Sequence, residues 1–156
     1  MRKALLAAAV ALLVTPAVPG QSASTANVTV TQVAASGSGG SVTIDREIEG
    51  LRESLVKKFA FSRYEFLSRK TARLASGASG TWNLANGTYL DIVFDGAEGA
   101  GAGTLYTLSL EVYKRTDEGK ERISKVTYKR TKGQPSLLGV GKLSSGASLI
   151  LVITAE

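Results

Sequence analysis

Apolar and polar residues alternate with a period of two along most of this chain, and follow a helical period in one place. In "NVTVTQVAA", Val28 and Val30 alternate with Thr29 and Thr31, a β-branched pattern that predicts a strand. "SGSGG" (Ser36 to Gly40) then interrupts it as a flexible linker does, so this strand either joins a sheet or stands off as a mobile leader. From 44 to 59 the pattern changes. Ile44, Ile48, Leu51, Leu55 and Phe59 recur at steps of three and four, which places them on one face of a helix. Arg46, Glu47, Glu49, Arg52, Glu53 and Lys57 fill the other face, with acids early and Lys57 and Lys58 late, as the helix dipole favours. An amphipathic helix of this kind must lie on an apolar surface.

The segment "FAFSRYEFLSRKTARL" (59–74) interleaves Phe59, Phe61, Tyr64 and Phe66 with Arg63, Arg69, Lys70 and Arg73. Rings among cations can hold single-stranded nucleic acid. Phe59 completes the helical stripe, however, and the other rings lead into a strand, so they read as core anchors at a corner, with the arginines in water.

Three hairpins follow. "TWNLANGTYLDIVFD" carries Asn86-Gly87 between apolar alternations, the signature of a type I′ turn with positive φ at both positions. Leu90, Ile92 and Phe94 share one face and Tyr89 and Val93 the other, which predicts an interior strand. After the loop 96–103, "TLYTLSLEVYKR" pairs with "RISKVTYKR". A register of Val112 with Val126 and Leu110 with Tyr128 keeps the apolar faces together and leaves Glu118-Gly119-Lys120 as the loop. "SLLGVGKL" and "SLILVITA" form the last hairpin around Ser144 to Gly146, its second strand apolar on both faces and therefore central. One helix and seven to eight closely spaced strands predict a mainly β fold: an antiparallel sandwich or partly open barrel with helix 44–59 packed on it.

The first residues change the domain count. Arg2 and Lys3, the apolar run Ala4 to Val14 and the small residues after Pro16 form the three parts of a secretory signal peptide. That run is too short to span a bilayer as a helix, which takes about 20 apolar residues. Cleavage is expected after Gly20, Ala23 or Ala26. The organisation expected is a signal at 1–24, a strand and Gly/Ser linker at 27–40, and one β-rich domain at 42–156. The product is then exported, periplasmic or extracellular, and not membrane-spanning. The chain has no Cys, so neither a lipid anchor on cysteine nor a disulfide is expected. Loss of Arg2 and Lys3 lowers the formal charge from +6 to about +4, a mildly basic balance that favours solubility.

Composition also narrows the chemistry. With no His and no Cys, nucleophilic systems that rely on histidine and the usual zinc sites are absent. Ser54-x-x-Lys57 and Thr131-Lys132-Gly133 have the spacing of motifs in penicillin-recognising enzymes, but the residue order of the second is wrong and the S-D-N element is missing. Asp91, Asp95 and Glu98 are carboxylates at a strand end. They are too few for a hard cation that takes six or more oxygens, and Asp91 and Asp95 stand about 13 Å apart along a strand. No catalytic residue, metal or cofactor is assigned.

The densest charge lies in 114–132, carried by one hairpin. Lys114, Arg115, Arg122, Lys125, Lys129 and Arg130 make a basic band suited to an anionic envelope surface or another envelope protein. The competing role is that outward lysines on an edge strand discourage edge-to-edge pairing.

Gly133-Gln134, Gly139 and the apolar run Leu149 to Thr154 resemble the end of the pore domain of bacterial secretins, in which a Gly-Gln turn precedes an apolar strand containing Gly and a later apolar strand closing in Thr-Pro. Ala155 stands here in the proline's place. The likeness spans residues 133–155 and implies, at most, an accessory component of an envelope secretion apparatus. The chain as a whole resembles small exported bacterial β-domains of unassigned function. The expectation is a non-catalytic binding or accessory module acting through its β surface, with no nucleic-acid partner. A carrier whose barrel lumen is lined by Tyr64, Trp82, Tyr89 and Tyr106 is the alternative, and a hydrolase using Asp91 and Asp95 a further one.

Overall fold

The computed structural model describes residues 24–156; the signal segment and its cleavage points up to Ala23 lie outside the described residues. The strands are β1 (Thr25–Ser36), β2 (Thr43–Ile44), β3 (Arg63–Ala75), β4 (Ser79–Asn83), β5 (Tyr89–Glu98), β6 (Leu105–Thr116), β7 (Gly119–Thr131), β8 (Ser136–Lys142) and β9 (Ser148–Ala155), with one α-helix, α1 (Arg52–Lys58). They form two open sheets, β2-β3-β1-β9-β8 and β4-β5-β6-β7. All neighbours are antiparallel except the short β2–β3 pair. The fold is the expected antiparallel sandwich with a helix upon it, and is not a closed barrel. Among the described residues it has nine strands rather than seven to eight.

The first strand is no mobile leader. β1 sits between β3 and β9 at the middle of the five-stranded sheet, and its two faces serve two cores. Val28 and Val30 point to the four-stranded sheet and pack with Leu151, Ile153, Trp82, Ile92 and Leu110, whereas Val33 and Ala35 point the other way with Ile48, Leu55, Tyr64 and Ile150. A strand buried on both faces needs apolar residues at odd and even positions, which β9 also supplies. Each fully buried Leu, Ile or Phe contributes about 1.5–3 kcal/mol.

The helix is shorter than its apolar stripe. Ile44 pairs with Tyr64 as part of β2. Arg46–Leu51 is a 3-10 helix, and only Arg52–Lys58 is α-helical. The side chain of Asp45 is turned to the sheet, where its Oδ2 accepts from the Phe66 N–H at 2.8 Å. Gly50 adds a weak point to the following turn. The stripe still faces the sheet: Ile48 and Leu55 are buried, with Ile44, Leu51, Phe59, Phe61 and Phe66 packed partly buried around them. Tyr64 is fully buried there, its hydroxyl donating to the Phe59 carbonyl at 3.1 Å, and burial pushes its pKa above the ordinary phenol value. The rings of 59–66 are core anchors.

Two hairpins differ in detail from expectation. Asn86 does not have positive φ, so the turn is not type I′. The Gly87 N–H donates to the Leu84 carbonyl at 3.0 Å and the Leu84 N–H to the Thr88 carbonyl at 2.9 Å, with Gly87 at φ 82°. Leu143 to Ala147 repeats this closure, with Gly146 at φ 88°. One left-handed glycine after an ordinary turn suffices. In the β6–β7 hairpin, Leu110 faces Val126 and Leu108 faces Tyr128, a slip of two from the expected register. The slip preserves every side chain's face because the period is two. Its origin is a tighter turn at Asp117-Glu118, closing Thr116 on Gly119, with the extra residue Ile123 bulged beside Val112 and Tyr113.

Candidate binding face of the four-stranded sheet

The two outward faces of the sandwich are treated differently. α1 and the turn before it cover part of the five-stranded sheet. Among the described residues no element covers the outward face of the four-stranded sheet, and the functional candidates gather there. Ladder register sets the rows: Thr81, Asp91, Glu111 and Lys125 lie across β4 to β7, and Asn83, Tyr89, Tyr113 and Arg122 form the next row.

At the centre, Asp91 accepts three hydrogen bonds. Lys120 Nζ donates at 2.8 Å, Thr81 Oγ1 at 2.7 Å and the Tyr113 hydroxyl at 3.1 Å. Burial alone would raise this carboxyl's pKa, but the bonds from Lys120, Thr81 and Tyr113 together outweigh burial and hold it below the ordinary aspartate value. Lys120 is correspondingly held above the ordinary lysine value by the Asp91 bond. Tyr113 is only 2% exposed although it stands on the open face. Tyr89 stacks beside it with ring centroids 5.5 Å apart, Lys120 Nζ lies 4.1 Å over its ring, and the Arg115 guanidinium lies 4.1 Å over Tyr89. Cations thus roof the aromatics, and a polar skin replaces the missing helix.

Of the predicted basic residues, Arg115, Arg122, Lys125 and Lys129 share this face. Lys114 and Arg130 do not: Lys114 pairs with Glu121 in register on the opposite side of the hairpin, and Arg130 lies beside Tyr106 with its guanidinium 5.3 Å from the Tyr128 ring. Arg115 is engaged with Tyr89, and Arg122 reaches Glu111 at 3.4 Å. Lys125 and Lys129 make no ion pair among the described residues. Lys125 borders an open depression of about 360 Å³ lined also by Ser79, Asp91, Asp95, Ser109 and Lys120.

Asp91 and Asp95 do share this depression, but each is already held. Ser109 Oγ donates to Asp95 Oδ2, and the register shifts between Phe94 and Gly96, at Asp95. Asp91 with its depressed pKa is a poor proton donor. Among the described residues no three carboxylates converge as a metal site requires. The four rings considered as a lumen stand in three places: Tyr64 under the helix, Trp82 and Tyr106 between the sheets, and Tyr89 on the open face. Ser54 lies half-buried and Lys57 exposed on α1, while Thr131 ends β7 on the other sheet and Lys132 follows it. Among the described residues no helix is long and apolar enough to cross a membrane.

The Asp91–Lys120–Tyr113 cluster is what sequence reasoning missed. Its signal was present in the alternation of Tyr89, Asp91 and Val93 on one face, but the expected register set Lys125 beside Tyr113, where the structure sets Arg122. No family model, curated protein or solved structure matches the chain.

Proposed function

We propose that this chain is an exported, non-catalytic binding module that holds an acidic partner protein of the envelope on the open face of its four-stranded sheet. The observation that supports this reading is the uneven use of charge on that face. The acids there are internally engaged: Asp91 by Lys120, Glu111 by Arg122 and Asp95 by Ser109. Lys125 and Lys129 are exposed and take part in no ion pair among the described residues. The face therefore presents positive charge outward on a scaffold whose own acids already have partners. Such attraction works over about a Debye length, near 8–10 Å at physiological salt, and gives encounter rate and orientation to a docking partner. Export rests on the three-part pattern of residues 1–24.

The test is binding of the purified protein to poly-L-glutamate, with phosphatidylglycerol vesicles as the competing target, across a salt series. Poly-L-glutamate should be retained at low salt and released as salt rises, and Lys125→Glu with Lys129→Glu should abolish retention. Retention unchanged by that double reversal, or preference for the vesicles, sinks the reading. Intact-mass measurement of protein recovered outside the cytoplasm should show loss of residues up to 20, 23 or 26; a full-length product there contradicts the signal.

A further inference from the structure

An edge strand presents unpaired N–H and C=O groups, and folded proteins usually block them. Here the edges are treated unequally. β3 is overlaid at its start by β2, the Asp45 carboxylate occupies the Phe66 N–H, and Trp82 Nε1 donates to the Lys70 carbonyl at 3.2 Å, tying β3 to β4. β4, only five residues long, shares that closed side. On β8, the Leu137 carbonyl accepts from Lys58 Nζ at 2.6 Å and the Val140 carbonyl from Asn86 Nδ2 at 3.1 Å, and its ladder breaks between Gly139 and Lys142. β7 is different. It runs for 13 residues at the end of its sheet. Between Lys125 and Lys129, the only backbone group bonded outside the β6 ladder among the described residues is the Lys129 carbonyl, which accepts from its neighbour Arg130 at 3.0 Å.

The direction of those free groups follows from the ladder. The Lys132 N–H donates to the Thr104 carbonyl at 3.2 Å, one step past the paired residues. In an antiparallel ladder hydrogen-bonded pairs alternate with non-bonded ones. Leu110–Val126 and Leu108–Tyr128 are therefore bonded pairs, and Glu111–Lys125, Ser109–Thr127 and Thr107–Lys129 are not. The N–H and C=O of Lys125, Thr127 and Lys129 point away from β6. Their side chains lie on the open face, while Val126 and Tyr128 lie between them at the half-buried rim of the inter-sheet core.

We propose that β7 receives an extended acidic segment of a partner protein as a fifth strand of this sheet, by main-chain pairing to Lys125, Thr127 and Lys129. This deepens the acidic-partner reading above and rests on it. Acids of the incoming strand lie across from Lys125 and Lys129, and the residues between them, apolar, extend the rim at Val126 and Tyr128. A second copy of this chain does not fit, because pairing two β7 edges sets one row of lysines against the other.

The probe is a nine-residue peptide alternating glutamate and valine, capped at both ends, with binding followed by fluorescence anisotropy and amide hydrogen exchange. Wild type should bind it and protect the Lys125, Thr127 and Lys129 amides. Thr127→Pro removes one outward N–H and no ladder bond, a change edge strands tolerate, and should weaken binding about tenfold or more. A peptide of the same composition in scrambled order should weaken equally. Should Thr127→Pro fail to fold, the unaltered protein is tested with the peptide N-methylated at alternate residues, once in each of the two registers; one register should lose binding and the other keep it. Equal binding of the scrambled and ordered peptides, wild-type affinity in folded Thr127→Pro, or protection on β8 instead of β7 overturns strand addition. If binding survives Thr127→Pro yet is lost in the Lys125→Glu, Lys129→Glu double variant, strand addition falls and the acidic-partner reading stands; if wild type binds neither this peptide nor poly-L-glutamate, both fall.

Discussion

The five-stranded and four-stranded sheets each have one face in the shared core and one face outward, and they finish the outward face by opposite means. On the five-stranded sheet, odd positions of β1 and even positions of β9 are apolar at Val33, Ala35, Ile150 and Val152, and a short helical segment with its rings covers them. On the four-stranded sheet the outward positions are polar or aromatic apart from Val93, and the aromatics are roofed by lysine and arginine. The first solution excludes water by burying hydrocarbon. The second leaves charge at the surface, with its acids paired and some of its bases free. An apolar face that already has its helix has little left to offer a partner, whereas a polar face without a cover has backbone and charge to spare.

The largest effect should come from the covered face. Leu55 is fully buried between α1 and the sheet, so Leu55→Ala should lower unfolding free energy by about 2–5 kcal/mol in urea titration. Tyr113→Ala removes the best-buried ring of the open face. Its roof is a movable lysine, so the site can partly collapse, and a loss of about 3 kcal/mol, at the low end for an aromatic, is expected. Should Tyr113→Ala cost more than Leu55→Ala, the polar skin is as firm as the helix and the contrast fails.

The pH dependence separates the faces further. The Asp91 carboxyl is held below its ordinary value by Lys120, Thr81 and Tyr113 against the opposing pull of burial. A depressed folded-state pKa contributes stability that is present above the unfolded value, near 4, and is lost as pH falls through the folded value. Stability of wild type should therefore decline below about pH 4, and Asp91→Asn should flatten that part of the decline. An unchanged acid limb in Asp91→Asn denies the cluster its role.

How much of this was legible beforehand differs between the faces for a physical reason. Helical period at Ile48, Leu51 and Leu55 and strand period at Leu90, Ile92 and Phe94 are local, so they located the helix and the interior strands. The Leu84 to Thr88 turn showed as Asn-Gly, though its hydrogen bonds chose another geometry. The open face depends on cross-strand register, and a slip of two residues leaves the hydrophobic alternation unchanged. Nothing in period two can distinguish Val126 opposite Leu110 from Val126 opposite Val112. The cluster of Asp91, Lys120 and Tyr113 brings together β5, β6 and the start of β7, and so was invisible until the Asp117-Glu118 turn was known. The basic residues were found as a band, but strand parity leaves Lys114 and Arg130 off the face, and the Ile123 bulge is what brings Arg122 onto it.

A smaller effect sharpens the covered side. A Cβ at Gly50 meets nothing within 4 Å, and its φ is not positive. Gly50→Ala should raise stability by about 0.4–1 kcal/mol by restricting the unfolded chain. Thermal unfolding measures it, and a loss of stability instead means the 3-10 turn at Arg46–Leu51 needs glycine for a reason its geometry does not display.

The smallest effect is the most discriminating. Lys125 and Lys129 are exposed on an edge strand, and neither makes an ion pair among the described residues. Neutralising both, as Lys125→Gln with Lys129→Gln, should change unfolding free energy by less than about 0.5 kcal/mol, as expected for surface substitutions away from a network. The same pair should decide whether an acidic ligand is held. Residues that matter to binding and not to folding are what separates a working face from a finished one. A guard against edge pairing makes the opposite forecast: the double variant would self-associate at high concentration while its affinity for acidic ligands stayed as in wild type. Sedimentation velocity and poly-L-glutamate retention on one preparation therefore weigh the two roles of these lysines directly.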